Sequence, residues 1–230
     1  MKSYIPNFIT LLNLFSGCIA VIFALDGYMK LTALFVFLGI FFDFFDGLLA
    51  RKLNVQSALG VQLDSLADMV TSGLVPGLVL FHLLELAPQP SWKNADLLPY
   101  FGLLVTLASA YRLAKFNIST NQSDAFIGLP TPANALLIIS LPLILEYQNS
   151  DATNTTILNP WFLIVLTLVS CYLLNAPIKL IALKFKTWSF KDNIPRYILI
   201  ILSLVLLAVF QFAGIPLIIL AYIFLSIVSK

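Results

Sequence analysis

The chain has 230 residues, of which 60% are hydrophobic and only 10% are charged, and its formal net charge is +2. A soluble domain usually carries about 25% charged residues, so this composition excludes an ordinary water-soluble globular protein. The mean hydropathy is +0.97, and several apolar runs approach the roughly 20 residues that cross a bilayer. We therefore predict an all-α, polytopic transmembrane helix bundle, in which no polar stretch is long enough to form a separate soluble domain.

Hydropathy predicts eight helices in chain order. Polar residues interrupt the first apolar run and no small-residue cleavage site follows it, so we expect a retained span and not a removed signal peptide. The last break, at 214–216, is very short and predicts a tight hairpin of the final two helices. The predicted helices cover residues 6–25, 30–51, 58–86, 98–117, 131–147, 158–183, 195–211 and 214–229.

The basic residues predict an orientation for this bundle. If the N-terminus is cytoplasmic, eleven of the thirteen basic residues fall on the cytoplasmic side and only Lys30 and Lys93 fall on the other side. The positive-inside rule predicts such a bias, so we expect both termini to be cytoplasmic. The eleven are Lys2, Arg51, Lys52, Arg112, Lys115, Lys179, Lys184, Lys186, Lys191, Arg196 and Lys230.

Four of the eleven acidic residues form a cluster on the second and third predicted helices: Asp43, Asp46, Asp64 and Asp68. The spacings of three and four residues place each pair on one helix face. The link between the two helices is short, so these faces meet near the cytoplasmic side. Carboxylates are costly inside a membrane, and divalent cations would neutralise them with hard oxygen ligands. This pattern favours a metal site for phosphoryl-group chemistry.

Two other interpretations of the four aspartates remain open. They could cap helices or pair with Arg51 and Lys52, although the two registered stripes argue against so simple a role. They could instead mark a proton or cation pathway of a membrane transporter, since acids inside a membrane commonly do. A transporter is expected to show internal repeats and broken helices at mid-membrane, and the sequence shows no convincing repeat.

The same residues resemble a family motif. The pattern D-x-x-D-G-x-x-A-R, eight residues and then G-x-x-x-D-x-x-x-D is that of the CDP-alcohol phosphatidyltransferases, and all eight fixed positions are present. The resemblance extends through the first six helices. It implies a catalytic core at 1–183, a C-terminal helical pair at 184–230, two bound Mg²⁺ or Mn²⁺ ions and a homodimer. In this family a hydroxyl group displaces CMP from a CDP-linked lipid at a cytoplasm-facing site.

The resemblance also assigns roles to individual residues. Asp68, besides being a metal ligand, is expected to be the general base for the acceptor hydroxyl. On the first helix, Thr10 is assigned to the CDP site and Asn13 to the acceptor site, with interhelical hydrogen bonding as an equal alternative for both. The implied metal ligands are Asp43, Asp46, Asp64 and Asp68, and the implied CDP-site residues are Gly47, Ala50, Arg51 and Gly60.

Two further segments bear on the acceptor. R-L-A-K-F-N ends the fourth predicted helix, and F-I-G-L-P-T-P precedes the fifth. Together they resemble the phosphatidylserine synthase branch, which implies CDP-diacylglycerol and L-serine as substrates and a location in the cell (inner) membrane. Arg112 is then the leading partner for the serine carboxylate, with Lys115 and Asn117 beside it and Lys184 as a weaker candidate. Glycerol 3-phosphate, inositol and inositol phosphate remain alternative acceptors.

Overall fold

The structure is a computed structural model that describes residues 4–88, 95–118, 126–181 and 193–228. It is predominantly helical, as predicted. A π-helical turn at Met69–Leu74 joins α3 to α4, and 3-10 turns at Ala95–Leu103 and Gln211–Ala213 precede α5 and α10. In chain order the elements are α1 (Tyr4–Leu25), α2 (Met29–Lys52), α3 (Ala58–Asp68), α4 (Val75–Leu86), α5 (Leu104–Ile118), β1 (Phe126–Ile127), α6 (Thr131–Tyr147), α7 (Asp151–Ile157), α8 (Pro160–Asn175), β2 (Lys179–Leu180), α9 (Ile194–Phe210) and α10 (Gly214–Val228).

Five helical stretches of the described chain are long and apolar enough to cross a membrane, and α7 with α8 adds a sixth if the pair is one span across its 57° bend. This count is lower than the eight predicted spans, because α9 and α10 fall in one helical stretch and α6 is shorter than the others. The chain is a polytopic membrane protein on either count. The five stretches are Tyr4–Leu25, Met29–Lys52, Ala58–Leu86, Ala95–Ile118 and Ile194–Val228.

The last helical stretch is a hairpin, as predicted. Gln211 has a φ of 49°, a left-handed conformation that turns the chain between α9 and α10. A Cβ added at Gly214 would lie 2.5 Å from the carbonyl oxygen of Leu206, so only glycine fits where the two backbones meet. Leu204 and Val209 on α9 are each 65% exposed. Such apolar exposure is what a lipid-facing surface requires.

The predicted sixth helix, 158–183, is wrong at its C-terminal end. Helix α8 ends at Asn175, and the residues that follow are extended. Pro177 explains the stop, because the residue before a proline avoids the helical conformation, and Ala176 accordingly has a ψ of 143°. Hydropathy extended the helix because the residues around β2 are apolar. The predicted domain boundary at 183/184 lies outside the described residues.

Two apolar clusters form the core. The larger one surrounds α4, whose Val79, Leu80 and Leu83 are at most 1% exposed. Helix α4 contacts α1, α5, α6 and α8, so it is the central helix of the bundle. The smaller cluster connects the loop before α6 with β2 and the C-terminal hairpin. Its buried members are Leu129, Leu137, Leu180, Leu199, Ile219 and Tyr222.

The π-helical turn packs against α1 and α2 through Thr71. The Thr71 hydroxyl donates a hydrogen bond to the carbonyl oxygen of Asn13 at 3.2 Å. A Cβ added at Gly17 would lie 2.3 Å from Thr71 Oγ1, and one added at Gly39 would lie 2.5 Å from Thr71 Cγ2. The two glycines therefore make room for Thr71 between the helices. Single π turns inside α-helices are frequent at functional sites, and this one directly follows Asp68.

Candidate active site

The aspartates of α2 and α3 meet across the short turn that joins the helices. Asp43, Asp46 and Asp64 each place a carboxylate oxygen within 4.8 Å of the other two. The Asp43 and Asp64 carboxyl groups lie close to each other. The start of α3 is fixed by Ser57, whose hydroxyl accepts a hydrogen bond from the Gly60 N–H at 3.0 Å. The aspartate pairs of α2 and α3 therefore face each other, as predicted.

Asp68 lies beside this trio but is not part of the three-carboxylate group. It is 9% exposed and stands at the C-terminal end of α3, just before the π turn. The hydroxyl of Thr131, the first residue of α6, lies close to its carboxylate. Asp68 is thus a neighbour of the trio and is more buried than Asp43 and Asp64.

Helix α1 supplies neutral hydrogen-bond donors to two of the aspartates. The Thr10 hydroxyl is 2.5 Å from Asp46 Oδ2, and Asn13 Nδ2 donates to Asp68 Oδ1 at 3.4 Å. Both donors are buried. The interhelical alternative for Thr10 and Asn13 is therefore realised in these contacts. Their predicted roles toward CDP and the acceptor remain predictions.

Three of the predicted CDP-site residues lie along α2, and we refer to the surface around Gly47, which is open, as the groove. A Cβ added at Gly47 would meet only Arg51 Nη2, at 4.0 Å. Arg51 is exposed and its Nε donates to the Gly47 carbonyl oxygen at 2.9 Å, which keeps the guanidinium beside Gly47. Ala50 is half-buried, and a Cβ at Gly60 would lie 3.3 Å from Asn7 Oδ1. The groove has space for a ligand beside the carboxylates.

The predicted acceptor residues on α5 have different surroundings. Arg112 is buried, and its Nη1 donates to the carbonyl oxygens of Ile127 and Leu174, both at 2.7 Å. Asn117 joins α5 to α3, because its Oδ1 accepts from the Ser65 hydroxyl at 2.9 Å. Lys115 is exposed. Arg112 and Asn117 thus have structural contacts in addition to their predicted roles, and Lys184 lies outside the described residues.

Sequence reasoning missed two residues at the start of α6. Thr131 lies near Asp68, although the loop that contains it had been singled out. Asn134 follows one turn later, is fully buried, and neither atom of its side-chain amide has a hydrogen-bond partner. Residues three apart share a helix face, so Asn134 extends the polar surface that Thr131 begins. The spacing T-x-x-N was the available signal.

The donor set fits a divalent cation. Three hard carboxylate oxygens converge, which suits Mg²⁺ or Mn²⁺. Among the described residues, the ion pairs are Lys30–Glu146 and His82–Glu85, so none of the four aspartates is neutralised by a basic side chain there. Clustered carboxylates in a membrane protein need such neutralisation. A metal ion would provide it.

Comparisons with known proteins identify several relatives of the chain. The chain is 36% identical over 143 residues to the CDP-diacylglycerol–serine O-phosphatidyltransferase of Bacillus subtilis. This match covers 60% of this chain and 75% of the relative. It is 31% identical over 202 residues to the enzyme of the same name from Helicobacter pylori (strain J99), covering 87% of this chain and 80% of the relative. An archaetidylserine synthase of Methanothermobacter thermautotrophicus is 28% identical over 151 residues, covering 64% of this chain and 61% of the relative.

A family model gives the broader assignment. The model of the CDP-alcohol phosphatidyltransferases matches residues 3–172. This range contains both aspartate pairs, the π turn and the loop that leads to Thr131. The chain therefore belongs to the CDP-alcohol phosphatidyltransferase family.

Proposed function

We propose that the protein is a CDP-diacylglycerol–serine O-phosphatidyltransferase, which forms phosphatidylserine and CMP. The arrangement that carries the proposal is the trio of Asp43, Asp46 and Asp64 with the separate, enclosed Asp68 beside it. The names of the Bacillus and Helicobacter relatives support serine as the acceptor. The enzyme would act in the cell (inner) membrane with its site and both termini on the cytoplasmic side, as a homodimer, and 1–230 would form one integral membrane domain.

In the proposed reaction, the serine hydroxyl oxygen attacks the phosphorus that carries the diacylglycerol. A new P–O bond forms, the P–O bond to CMP breaks, and CMP leaves with the electron pair. Asp68 accepts the hydroxyl proton, and its hydrogen bond from Asn13 orients the carboxylate for this transfer. Arg51, which bonds the Gly47 carbonyl oxygen, would contact a phosphate oxygen of CDP. The enclosure of Asp68 limits competition from water.

Two Mg²⁺ or Mn²⁺ ions, when bound by the four aspartates, would neutralise the diphosphate and the leaving CMP. The residues of the trio are the primary ligands in this proposal, and Asp68 is the fourth ligand as well as the base. Thr10 orients Asp46 through its hydrogen bond. Asp43 and Asp64 are only half-buried, and phosphate oxygens, which commonly complete the shell of Mg²⁺, would approach from their accessible side.

The alternative acceptors differ in the charge that they require. Glycerol 3-phosphate or inositol phosphate would need several free cations near the site. Among the described residues, Arg112 is buried and donates to two carbonyl oxygens, while Arg51 and Lys115 are exposed. This sparse positive charge favours serine over a phosphorylated acceptor, and it leaves unphosphorylated inositol to be tested.

The test uses purified protein in vesicles with CDP-diacylglycerol, Mn²⁺ or Mg²⁺, and one labelled acceptor at a time. Labelled serine is expected to enter lipid with release of one CMP, and chelation should abolish this product. Labelled lipid from glycerol 3-phosphate, inositol or inositol phosphate but not from serine would refute the acceptor assignment. Absence of any lipid product would favour the transporter alternative, to be followed by flux measurements in the same vesicles.

The matched variant is Asp68→Asn, which keeps the size of the side chain but cannot accept the hydroxyl proton. We expect turnover to fall by at least about a hundredfold, while binding of CDP-diacylglycerol is partly retained. Retained turnover in Asp68→Asn would rule out its role as the base.

A further inference from the structure

Two side chains of helix α10 form hydrogen bonds with the backbone of Ile181. The Tyr222 hydroxyl donates to the carbonyl oxygen of Ile181 at 2.9 Å, and the N–H of Ile181 donates to Ser226 Oγ at 3.1 Å. Tyr222 and Ser226 are 7% and 3% exposed, and they lie one turn apart on the same face. Together they satisfy both backbone polar groups of Ile181, as a neighbouring β-strand would.

The segment that ends at Ile181 is in turn paired with the loop before α6. Strand β2 pairs antiparallel with β1, with Ile127 opposite Lys179. The Gly128 N–H continues the pairing by donating to the Ile178 carbonyl oxygen at 2.8 Å. Gly128 has a φ of 73°, and a Cβ there would lie 2.5 Å from the Leu174 carbonyl oxygen. The loop therefore lies directly against the end of α8 and the strand that α10 holds.

This loop leads within three residues from Gly128 to Thr131, whose hydroxyl lies close to the Asp68 carboxylate. Side-chain packing follows the same route as the hydrogen bonds. Leu129 of the loop, Leu180 of β2 and Tyr222 of α10 are buried in one apolar cluster. A continuous set of contacts thus connects α10, through Ile181 and the strand pair, with Thr131 beside Asp68.

We propose that α10, through Tyr222 and Ser226, positions the loop at 128–131 and so sets where the acceptor hydroxyl lies relative to Asp68. The inference rests on the proposed function. It gives the C-terminal helix, which lies beyond the family match at 3–172, a role in acceptor binding. Among the described residues, no hydrogen bond joins Asp43, Asp46 or Asp64 to Tyr222, Ser226 or Ile181. Weakening the hold of α10 should therefore affect the acceptor and spare the lipid donor.

The test compares Tyr222→Phe, Ser226→Ala and the double variant with wild type, with KM measured separately for serine and CDP-diacylglycerol. Loss of the two part-buried hydrogen bonds to Ile181 is expected to raise the serine KM about tenfold in the double variant. The KM for CDP-diacylglycerol should stay within about twofold. Ser226→Thr keeps the hydroxyl, so we expect its serine KM to be close to that of wild type.

Two matched variants control for loss of hydroxyl groups elsewhere. Tyr172 on α8 is 65% exposed, and the Ser203 hydroxyl on α9 donates a hydrogen bond to the Leu199 carbonyl oxygen of its own helix. Tyr172→Phe and Ser203→Ala should leave both KM values unchanged. If the double variant raises both KM values equally, or neither, the proposal is overturned.

A substrate-free measurement separates this inference from the acceptor assignment. Leu129 is 1% exposed, so a Leu129→Cys reporter, in a chain with Cys18→Ala and Cys171→Ala, reacts with a maleimide only when the loop opens. The double variant should raise the labelling rate several-fold. Faster labelling of the double variant would show that Tyr222 and Ser226 keep the loop closed, even if serine proves not to be the acceptor. An unchanged labelling rate would refute it even if serine is the acceptor.

Discussion

Neutral side chains, and not cations, orient the aspartates of the site. Thr10 contacts Asp46, and Asn13 contacts Asp68, from a helix that carries no acid of its own. A basic partner would cancel the negative charge that a divalent ion needs. A hydroxyl or an amide orients the carboxylate and leaves its charge available. The polar residues of α1 therefore act on the site through the aspartates that they contact.

Thr10→Val is expected to weaken metal binding, because it keeps the side-chain shape and removes the hydrogen bond to Asp46. A hydrogen bond to a charged group contributes about 1.5–3 kcal/mol, so the Mn²⁺ concentration for half-maximal activity should rise about tenfold. Thr10→Ser should behave like wild type, since it keeps the hydroxyl. A metal titration of activity measures the effect, and an unchanged midpoint in Thr10→Val would argue against this role.

Gly47→Ala is expected to reduce activity without reducing stability. The added Cβ meets no atom of the protein closer than 4.0 Å, and alanine favours a helix by about 1 kcal/mol over glycine. The methyl group would instead occupy the groove assigned to CDP. We expect kcat/KM for CDP-diacylglycerol to fall about tenfold, while the thermal unfolding midpoint is kept or raised.

Gly102→Ala is the matched control for Gly47→Ala. A Cβ there would lie 2.5 Å from the backbone nitrogen of Phe81, so this variant should lower the unfolding midpoint. If Gly47→Ala keeps full kcat/KM, Gly47 does not line the CDP site.

At the scale of elements, the π turn connects the packing of the bundle with the position of Asp68. Thr71 occupies the space that Gly17 and Gly39 leave, and the turn starts at the residue after Asp68. Gly39 lies one turn before Asp43 on α2. The fit between Thr71 and these glycines therefore helps to fix the distance between the two aspartate-bearing helices.

A double-mutant cycle tests this fit. Gly39→Ala places its Cβ 2.5 Å from Thr71 Cγ2, and overpacking of this kind costs about 1–3 kcal/mol. Thr71→Ser removes Cγ2 and keeps the hydroxyl, so it should restore part of the stability of Gly39→Ala. Thermal unfolding in detergent measures the coupling between the two positions. Additive effects of the two substitutions would mean that the contact does not limit the packing.

At the scale of the whole molecule, the contacts form two groups with different tasks. Helices α1, α2 and α3 bring together the carboxylates and the groove beside them. The second group consists of the loop before α6, the strand pair and α10, and its residue Thr131 lies near Asp68. Arg112 belongs to this second group, since its two carbonyl partners lie in β1 and at the end of α8. Arg112, the leading predicted acceptor residue, thus lies in a different group from the predicted CDP-site residues, whereas Asn13 on α1 and Asn117, which is bonded to α3, belong with the first group.

The orientation of the molecule can be tested with two cysteine reporters in a chain with Cys18→Ala and Cys171→Ala. Gln56 lies in the turn between α2 and α3, and Asp26 lies in the turn between α1 and α2, and both are exposed. The positive-inside rule places Gln56 in the cytoplasm. A membrane-impermeant maleimide should label Asp26→Cys in intact cells and Gln56→Cys only after the membrane is opened. The reverse pattern would contradict the predicted orientation.

The sequence by itself determined the membrane class, the order of the helices and the pairing of the aspartate stripes. These features depend on local periodicity and on a motif that spans one short turn. The eight predicted helices all correspond to helical segments, and the clear error is at Pro177, where apolar residues continue in an extended strand. Hydropathy cannot distinguish such a strand from a helix because it measures only how apolar the residues are.

The tertiary structure alone decided which side chains contact the aspartates and what holds the loop beside Asp68. The partners of Thr10, Asn13 and Arg112 are 36, 55 and 62 residues away in the sequence. Contacts of that range follow from how whole helices pack and rotate, which no local pattern encodes. For the same reason, only the assembled helices reveal the positions of Thr131 and Asn134 and the hydrogen bonds between α10 and Ile181.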